Sequence, residues 1–99
     1  MLNIYKDTNG SELTIRMEGR LDTTTSPVLE SEMKTSLDGV EKLVLDLKDL
    51  QYISSAGLRV LLSAQKTMNR QGSMIVRNAS ADIKEIFDVT GFSDILTIE

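Results

Sequence analysis

The apolar residues of this chain switch between two kinds of spacing along its length. Over residues 13–17 every second residue is apolar, which is typical of a strand with one covered face. Over residues 29–37 the apolar residues lie four positions apart, as they do on the buried side of an amphipathic helix. Residues 42–47 form a more continuous apolar run, which favours a central strand. The two periods together restrict the chain to folds that combine a sheet with helices.

Turn and capping residues divide these segments into an ordered series. An Asn-Gly pair at residues 9–10 predicts a hairpin turn. Thr25 or Ser26 can cap a helix in which Pro27 takes the first position. The order β-β-α-β-α-β-α-β predicts one α/β domain over residues 1–99, with helices packed against a mixed central sheet of about four to five strands. In chain order, the predicted elements are strands over residues 2–6 and 13–17, a helix over 27–37, a strand over 42–47, a connection at 48–51, a short extended segment at 52–53, a helix from about 55 to 70, a strand over 73–77, a helix between 80 and 90, and a last strand over 94–98.

The amino-acid composition excludes several classes of function for this chain. The chain has no cysteine and no histidine, which excludes disulfides, thiolate chemistry and mechanisms that rely on an imidazole base. We therefore predict no enzyme activity, no metal site and no cofactor. A formal net charge of -4, with scattered basic residues, does not match the charge pattern of a nucleic-acid-binding protein. Without a secretion signal or an apolar run of the ~20 residues that span a bilayer, we expect a cytoplasmic protein with no membrane contact.

A Ser-Ser-Ala-Gly segment at residues 54–57 begins the longest predicted helix and is the main candidate site. Ser54 or Ser55 can cap the free N–H groups of the first turn, which is the simplest interpretation of these residues. A hydroxyl at a helix N-terminus is also a favourable position for a phosphoryl group. Gly57 lacks a side chain, so another backbone or a ligand could approach closely. Asp22, taken alone, is best interpreted as a loop acid or a turn former.

The segment around these serines resembles a known protein family. Residues 52–58, with the sequence Tyr-Ile-Ser-Ser-Ala-Gly-Leu, are similar to the segment that opens a helix in STAS domains, particularly in bacterial anti-sigma factor antagonists. Residues 18–22 resemble the Gly-x-Leu-Asp strand end of that family, and residues 83–92 resemble its closing helix. Three similar segments in the same order make the resemblance specific and extend it over the full length of the chain.

The resemblance implies a partner switch that phosphorylation controls. In the unmodified state such a protein binds an anti-sigma factor, often a serine kinase related to histidine-kinase ATPases, and so releases a sigma factor. Ser55 aligns with the serine that the kinase phosphorylates and that a PP2C-type phosphatase restores. Ser54 replaces the family's aspartate and offers a second acceptor, while Ala56 replaces a hydroxyl residue. For a chain that we expect to be a monomer or a weak dimer, the implied partner contacts are Asp22, Thr23, Ser54, Ser55, Ala56, Gly57, Arg59, Ser63 and Lys66.

Two alternative functions are compatible with the same residues. STAS domains also occur as non-switching subunits of transporters and lipid-transfer complexes, which work without phosphorylation. A nucleotide-binding protein is a weaker alternative, because the chain has no glycine-rich phosphate loop that ends in Gly-Lys-Ser/Thr. Weak nucleotide binding at the helix that begins near Ser55 stays compatible with the sequence.

Overall fold

The computed structural model describes residues 1–99 and contains one mixed sheet and three α-helices, which confirms the predicted α/β class. None of the helices combines the length and the apolar character that a membrane crossing requires. The elements, in chain order, are β1 (Leu2–Asn9), β2 (Glu12–Leu21), α1 (Ser26–Ser36), β3 (Lys42–Ile53), α2 (Ser55–Gln71), β4 (Ser73–Arg77), α3 (Ala81–Thr90) and a short 3-10 helix (Phe92–Asp94).

The four strands lie side by side in chain order, β1-β2-β3-β4. β1 and β2 form the predicted antiparallel hairpin, whereas β2–β3 and β3–β4 are parallel pairs. Parallel neighbours need a crossover connection, which α1 and α2 supply. Right-handed crossovers that step in one direction across a sheet put both helices on the same face. One cluster of 24 buried apolar residues, drawn from the strands and from all three helices, fills that face.

The two faces of the sheet have opposite character. The three apolar residues of the segment 13–17 are buried against the helices, as the alternating pattern predicts. The other face is not covered by a helix, and its charged side chains pair with one another. The Arg16 guanidinium lies 4.1 Å from the centre of the Tyr5 ring and bonds to the Asp49 carboxylate at 3.0 Å. This open face accepts charged residues such as Arg16 and Asp49.

β3 is longer than the sequence predicts. The connection predicted at residues 48–51 is wrong, because the strand continues without a break to Ile53. β2 pairs with β3 over this whole distance. The pairing shifts register twice, and Leu50, which lies between the two shifts, is buried. The polar residues that suggest a loop stay at least partly exposed at the uncovered side of the sheet, where Asp49 finds its partner in Arg16. The extension places the start of α2 beside the end of β2.

The last strand predicted at residues 94–98 is present as a single parallel bridge between Ile98 and Val76. The Val76 N–H donates to the Thr97 carbonyl at 2.8 Å, and the Glu99 N–H donates to the Val76 carbonyl at 2.9 Å. The pairing is this short because the chain first turns through the 3-10 helix and buries Leu96 in the core. The C-terminal residues thereby cover part of the outer edge of β4.

Candidate functional site

The segment 54–57 follows the end of β3 directly and consists of the N-cap residue and the first three residues of α2. The Ser54 N–H donates to the Leu21 carbonyl oxygen at 2.9 Å, which ties the turn to the end of β2. The Ser54 hydroxyl oxygen accepts from the Gly57 N–H at 3.3 Å and caps the helix. Ser54 is therefore the one of the two candidate capping serines that performs this role.

Ser55 is the first residue of α2, and its side chain is exposed. Its hydroxyl takes no part in the hydrogen bonds that fix this turn, which Ser54 supplies instead. The first turn of α2 contains no acidic residue, so no charge of the helix itself offsets the positive end of its dipole. A negatively charged group on the Ser55 hydroxyl would lie in a favourable electric field.

Gly57 lets α2 begin in direct contact with the ends of two strands. A Cβ atom at this position would lie 2.8 Å from Cγ of Leu21 and 2.9 Å from Cγ1 of Ile53. Both neighbours are buried, so neither can move into solvent to make room. The close approach at Gly57 involves two core side chains, whereas the sequence suggested another backbone or a ligand.

Asp22 organises the loop between β2 and α1, which lies beside the start of α2. Its Oδ1 atom accepts from the Thr24 N–H at 3.0 Å, the Thr24 hydroxyl at 2.8 Å and the Thr25 N–H at 3.0 Å. The Thr25 hydroxyl accepts from the Asp22 N–H at 2.8 Å and donates its proton to the Arg20 carbonyl at 2.8 Å. The predicted turn-forming role of Asp22 matches this geometry. Thr25 stands at the N-cap position of α1, but its hydroxyl is used within the loop and does not cap the helix.

These hydrogen bonds favour the ionised form of Asp22. They lower the pKa of its carboxyl from 3.8 to about 2, with the Thr24 hydroxyl as the largest cause and the Thr25 backbone N–H as the next. A carboxyl whose pKa is depressed by folding stabilises the folded state above its unfolded pKa, and this contribution is lost as the pH falls from about 4 to about 2. The loop is therefore held by a carboxylate that stays charged throughout the neutral and mildly acidic range.

We expect the replacement Thr24→Val to raise the pKa of the Asp22 carboxyl towards 3.8, because it removes the hydroxyl that contributes most to the shift. The measurement is the carboxyl carbon chemical shift of Asp22 by NMR from about pH 5.5 down to roughly pH 2, a range that includes both the ordinary and the lowered pKa. Ser31→Val, on the exposed side of α1, is the matched control and should leave this titration unchanged. Identical Asp22 titrations in the wild-type chain and Thr24→Val would contradict the assignment.

The structure brings most of the predicted partner-binding residues to one edge of the sheet. A small cavity of about 210 Å³ is lined by Thr23 from the β2–α1 loop and by Ala56 and Arg59 from α2. Ser63 lies one turn further along α2, in a larger open groove of about 650 Å³ between α1 and α2. Lys66 is exposed and lines neither cavity.

Sequence reasoning missed the contribution of α1 to this site. Ser26, Pro27 and Glu30 line the small cavity together with the predicted residues, and Glu30 also lines the groove. The signal was available in the topology, because parallel neighbouring strands end at the same edge of a sheet and the loops that follow them meet there. The start of α1 therefore lies beside the start of α2.

Sequence comparisons identify one family. The family model of the STAS domain matches residues 3–99. The anti-sigma-B factor antagonist of Bacillus subtilis is 30% identical over 98 residues, which cover 98% of this chain and 90% of that protein.

Solved structures share the fold of this chain. The crystal structure of an anti-sigma factor antagonist from Mycobacterium paratuberculosis has a TM-score of 0.88 at 18% identity, covering 99% of this chain and 85% of that one. The Bacillus cell fate determinant SpoIIAA in its phosphorylated form has a TM-score of 0.77 at 17% identity, covering 98% of this chain and 91% of that one. This chain belongs to the STAS domain family, where its relatives are anti-sigma factor antagonists.

Proposed function

We propose that this chain is an anti-sigma factor antagonist whose binding is switched off by phosphorylation of Ser55. Unmodified, it binds an anti-sigma factor that is a serine kinase and so releases a sigma factor. A PP2C-type phosphatase then removes the phosphate and returns the chain to the form that binds. The observation that carries the proposal is the free, exposed hydroxyl of Ser55 at the start of α2, next to a serine whose hydroxyl is already used as the cap.

Electrostatics explains why a phosphate at this position would act on the partner and not on the fold. Phosphorylation adds a charge of about -1.5 to -2 at neutral pH. At the first residue of a helix this charge is stabilised by the dipole and by free N–H groups, so the domain itself should stay folded. A partner surface packed against the same helix start would meet an added, strongly hydrated charge, and the complex would be weakened.

The second acceptor, Ser54, is disfavoured by its contacts. Its hydroxyl oxygen accepts from the Gly57 N–H, and its own N–H is bonded to the Leu21 carbonyl. Transfer of a phosphoryl group to Ser54 would require this hydroxyl to leave the cap, which costs about 1 kcal/mol of helix stability. Ser55 can be modified without the loss of any hydrogen bond.

The proposed partner surface is the edge of the sheet at which β2 and β3 end. It comprises the β2–α1 loop, the first turn of α2 and the outward side of that helix, where Arg59, Ser63 and Lys66 follow one another at spacings of four and three residues. The proposal includes a cytoplasmic location, which is where sigma factors act. The residues assigned to this surface are Asp22, Thr23, Ser54, Ser55, Ala56, Gly57, Arg59, Ser63 and Lys66.

We expect one phosphate on Ser55 after incubation with a cognate anti-sigma factor kinase and ATP. The probes are the purified anti-sigma factor kinases encoded in the genome of the source organism, tested one by one, and the label is located by peptide mass spectrometry. Ser55→Ala should abolish the labelling, because no other hydroxyl in this turn is free.

Ser54→Ala separates the two serines in the same experiment. It removes the cap but leaves the acceptor, so labelling of Ser55 should persist. The proposal fails if a kinase that binds the wild-type chain labels a different residue, or if it labels Ser54 in the Ser55→Ala variant as fast as it labels the wild type.

A further inference from the structure

We infer that Asp22 is a positioning residue of the proposed switch site, which acts on partner binding by holding the β2–α1 loop in its binding shape. This inference rests on the proposed function and changes the role that the family resemblance implies for Asp22. The observation behind it is that one carboxylate oxygen of Asp22 is fully engaged within its own loop.

One oxygen of the carboxylate accepts hydrogen bonds from two residues of its own loop, Thr24 and Thr25. Oδ1 accepts from the backbone N–H and the hydroxyl of Thr24 and from the N–H of Thr25, all at 2.8 to 3.0 Å. Oδ1 is therefore used within the loop, whereas the other carboxylate oxygen, Oδ2, takes part in none of these hydrogen bonds. The low pKa of the group reports the same engagement.

The loop that Asp22 holds is the wall of the small cavity at the start of α2. Thr23, which lies between Asp22 and the donor residues Thr24 and Thr25, lines this cavity together with Ala56 and Arg59. The hydroxyls of Thr24 and Thr25 are bonded inside the loop, so the side chain of Thr23 is the one that the loop presents to the site. Without the carboxylate, nothing in the loop fixes the backbone of Thr24.

A second connection ties the loop to the switch. The Leu21 carbonyl, immediately before Asp22, accepts from the Ser54 N–H at 2.9 Å. On the other side, the Ser26 N–H donates to the Asp22 carbonyl at 2.9 Å, which begins α1. Hydrogen bonds therefore anchor the loop at both ends, to the turn that carries Ser55 and to the start of α1. Asp22 determines the shape of the loop between these two anchors.

The first part of the test uses the chain alone and needs no partner. Amide hydrogen exchange of Thr24 and Thr25, measured by NMR, should accelerate about tenfold or more in Asp22→Ala, because their N–H groups lose the Oδ1 acceptor. Asp22→Asn keeps an oxygen at that position without the charge, so it should preserve most of the protection. Equal loss of protection in both variants would overturn the inference, as would no loss in either.

The second part measures affinity for the purified anti-sigma factor kinase that binds the wild-type chain, by calorimetry. Asp22→Ala should weaken binding by about tenfold, and Asp22→Asn should recover the affinity to within about threefold of wild type. Thr24→Val should weaken binding to a smaller extent, and the double variant with Asp22→Ala should be no weaker than Asp22→Ala alone, because both act through one hydrogen-bonded unit.

The two variants of Asp22 separate positioning from charge contact. If Asp22→Asn loses as much affinity as Asp22→Ala while its loop amides stay protected, the carboxylate charge contacts the partner and the inference is wrong. If none of the kinases binds the wild-type chain, the proposed function fails, and the amide exchange rates still support or overturn the role of Asp22 in the loop.

Discussion

Gly57→Val should lower the free energy of unfolding by about 3 kcal/mol, the upper part of the range for overpacked cores. The first atom of the new side chain would lie within 2.9 Å of Leu21 and Ile53, which are both buried at the ends of their strands. To make room, α2 would have to move away from the sheet at the point where Ser54 is bonded to Leu21. Urea unfolding followed by circular dichroism measures the change.

The smaller variant Gly57→Ala shows most clearly whether a side chain at this position raises or lowers the free energy of unfolding. In an exposed helix, glycine to alanine stabilises by about 1 kcal/mol, so helix propensity alone predicts a gain. The contacts at Gly57 predict a net loss, because a Cβ atom by itself is already too close to two core side chains. Ser63→Val, which adds the same β-branched side chain at an exposed position of α2, is the control and should cost less than about 1 kcal/mol.

Two outcomes would contradict this account of Gly57. One is an unfolding midpoint for Gly57→Val that matches the midpoint of Ser63→Val. The other is a gain in stability for Gly57→Ala, which would mean that Leu21 and Ile53 can repack without cost. If Gly57→Val does not fold at all, the Gly57→Ala result decides the question.

The elements that the sequence predicts well are those with local signals. The buried face of β2 follows from the alternation of residues 13–17, and the start of α2 follows from a capping serine in front of an apolar stripe. The turn role of Asp22 is also local, because its acceptor oxygen reaches only residues two and three positions ahead.

The features that could not be predicted depend on residues far apart in the chain. Nothing near Lys48 indicates a strand, since the extension of β3 depends on β2 running beside it and on an open face that accepts Asp49. The reason for Gly57 lies in Leu21, 36 positions away in the numbering, which only the paired strands bring to the helix. Which of the two serines caps the helix also depends on a distant contact, because the Ser54 N–H bonds to the Leu21 carbonyl while the Ser54 hydroxyl accepts from the Gly57 N–H. Local signals therefore locate the start of α2, whereas tertiary contacts determine what each residue does there.

Ser55→Asp should weaken binding to the anti-sigma factor kinase by about tenfold to a hundredfold, which corresponds to about 1.4 to 2.8 kcal/mol of binding free energy. The new carboxylate stands where we propose that the phosphate is placed, on an exposed residue of the proposed partner surface. Stability should change little or rise by about 0.3 to 1 kcal/mol, because an acidic residue at the first position of a helix interacts favourably with its dipole. Calorimetric titration with the purified kinase and thermal unfolding measure the two effects separately.

Ala81→Asp is the matched control for this experiment. Ala81 is the first residue of α3, is exposed and follows a capping serine, Ser80, just as Ser55 follows Ser54. The variant adds the same charge at the same helix position but outside the proposed partner surface, so its affinity should stay within about twofold of wild type. Equal weakening by both variants would show that net charge and not position controls binding. Ser55→Ala, which removes the hydroxyl without adding charge, should bind more tightly than Ser55→Asp. If Ser55→Asp binds as well as Ser55→Ala, negative charge at this helix start does not act as the switch.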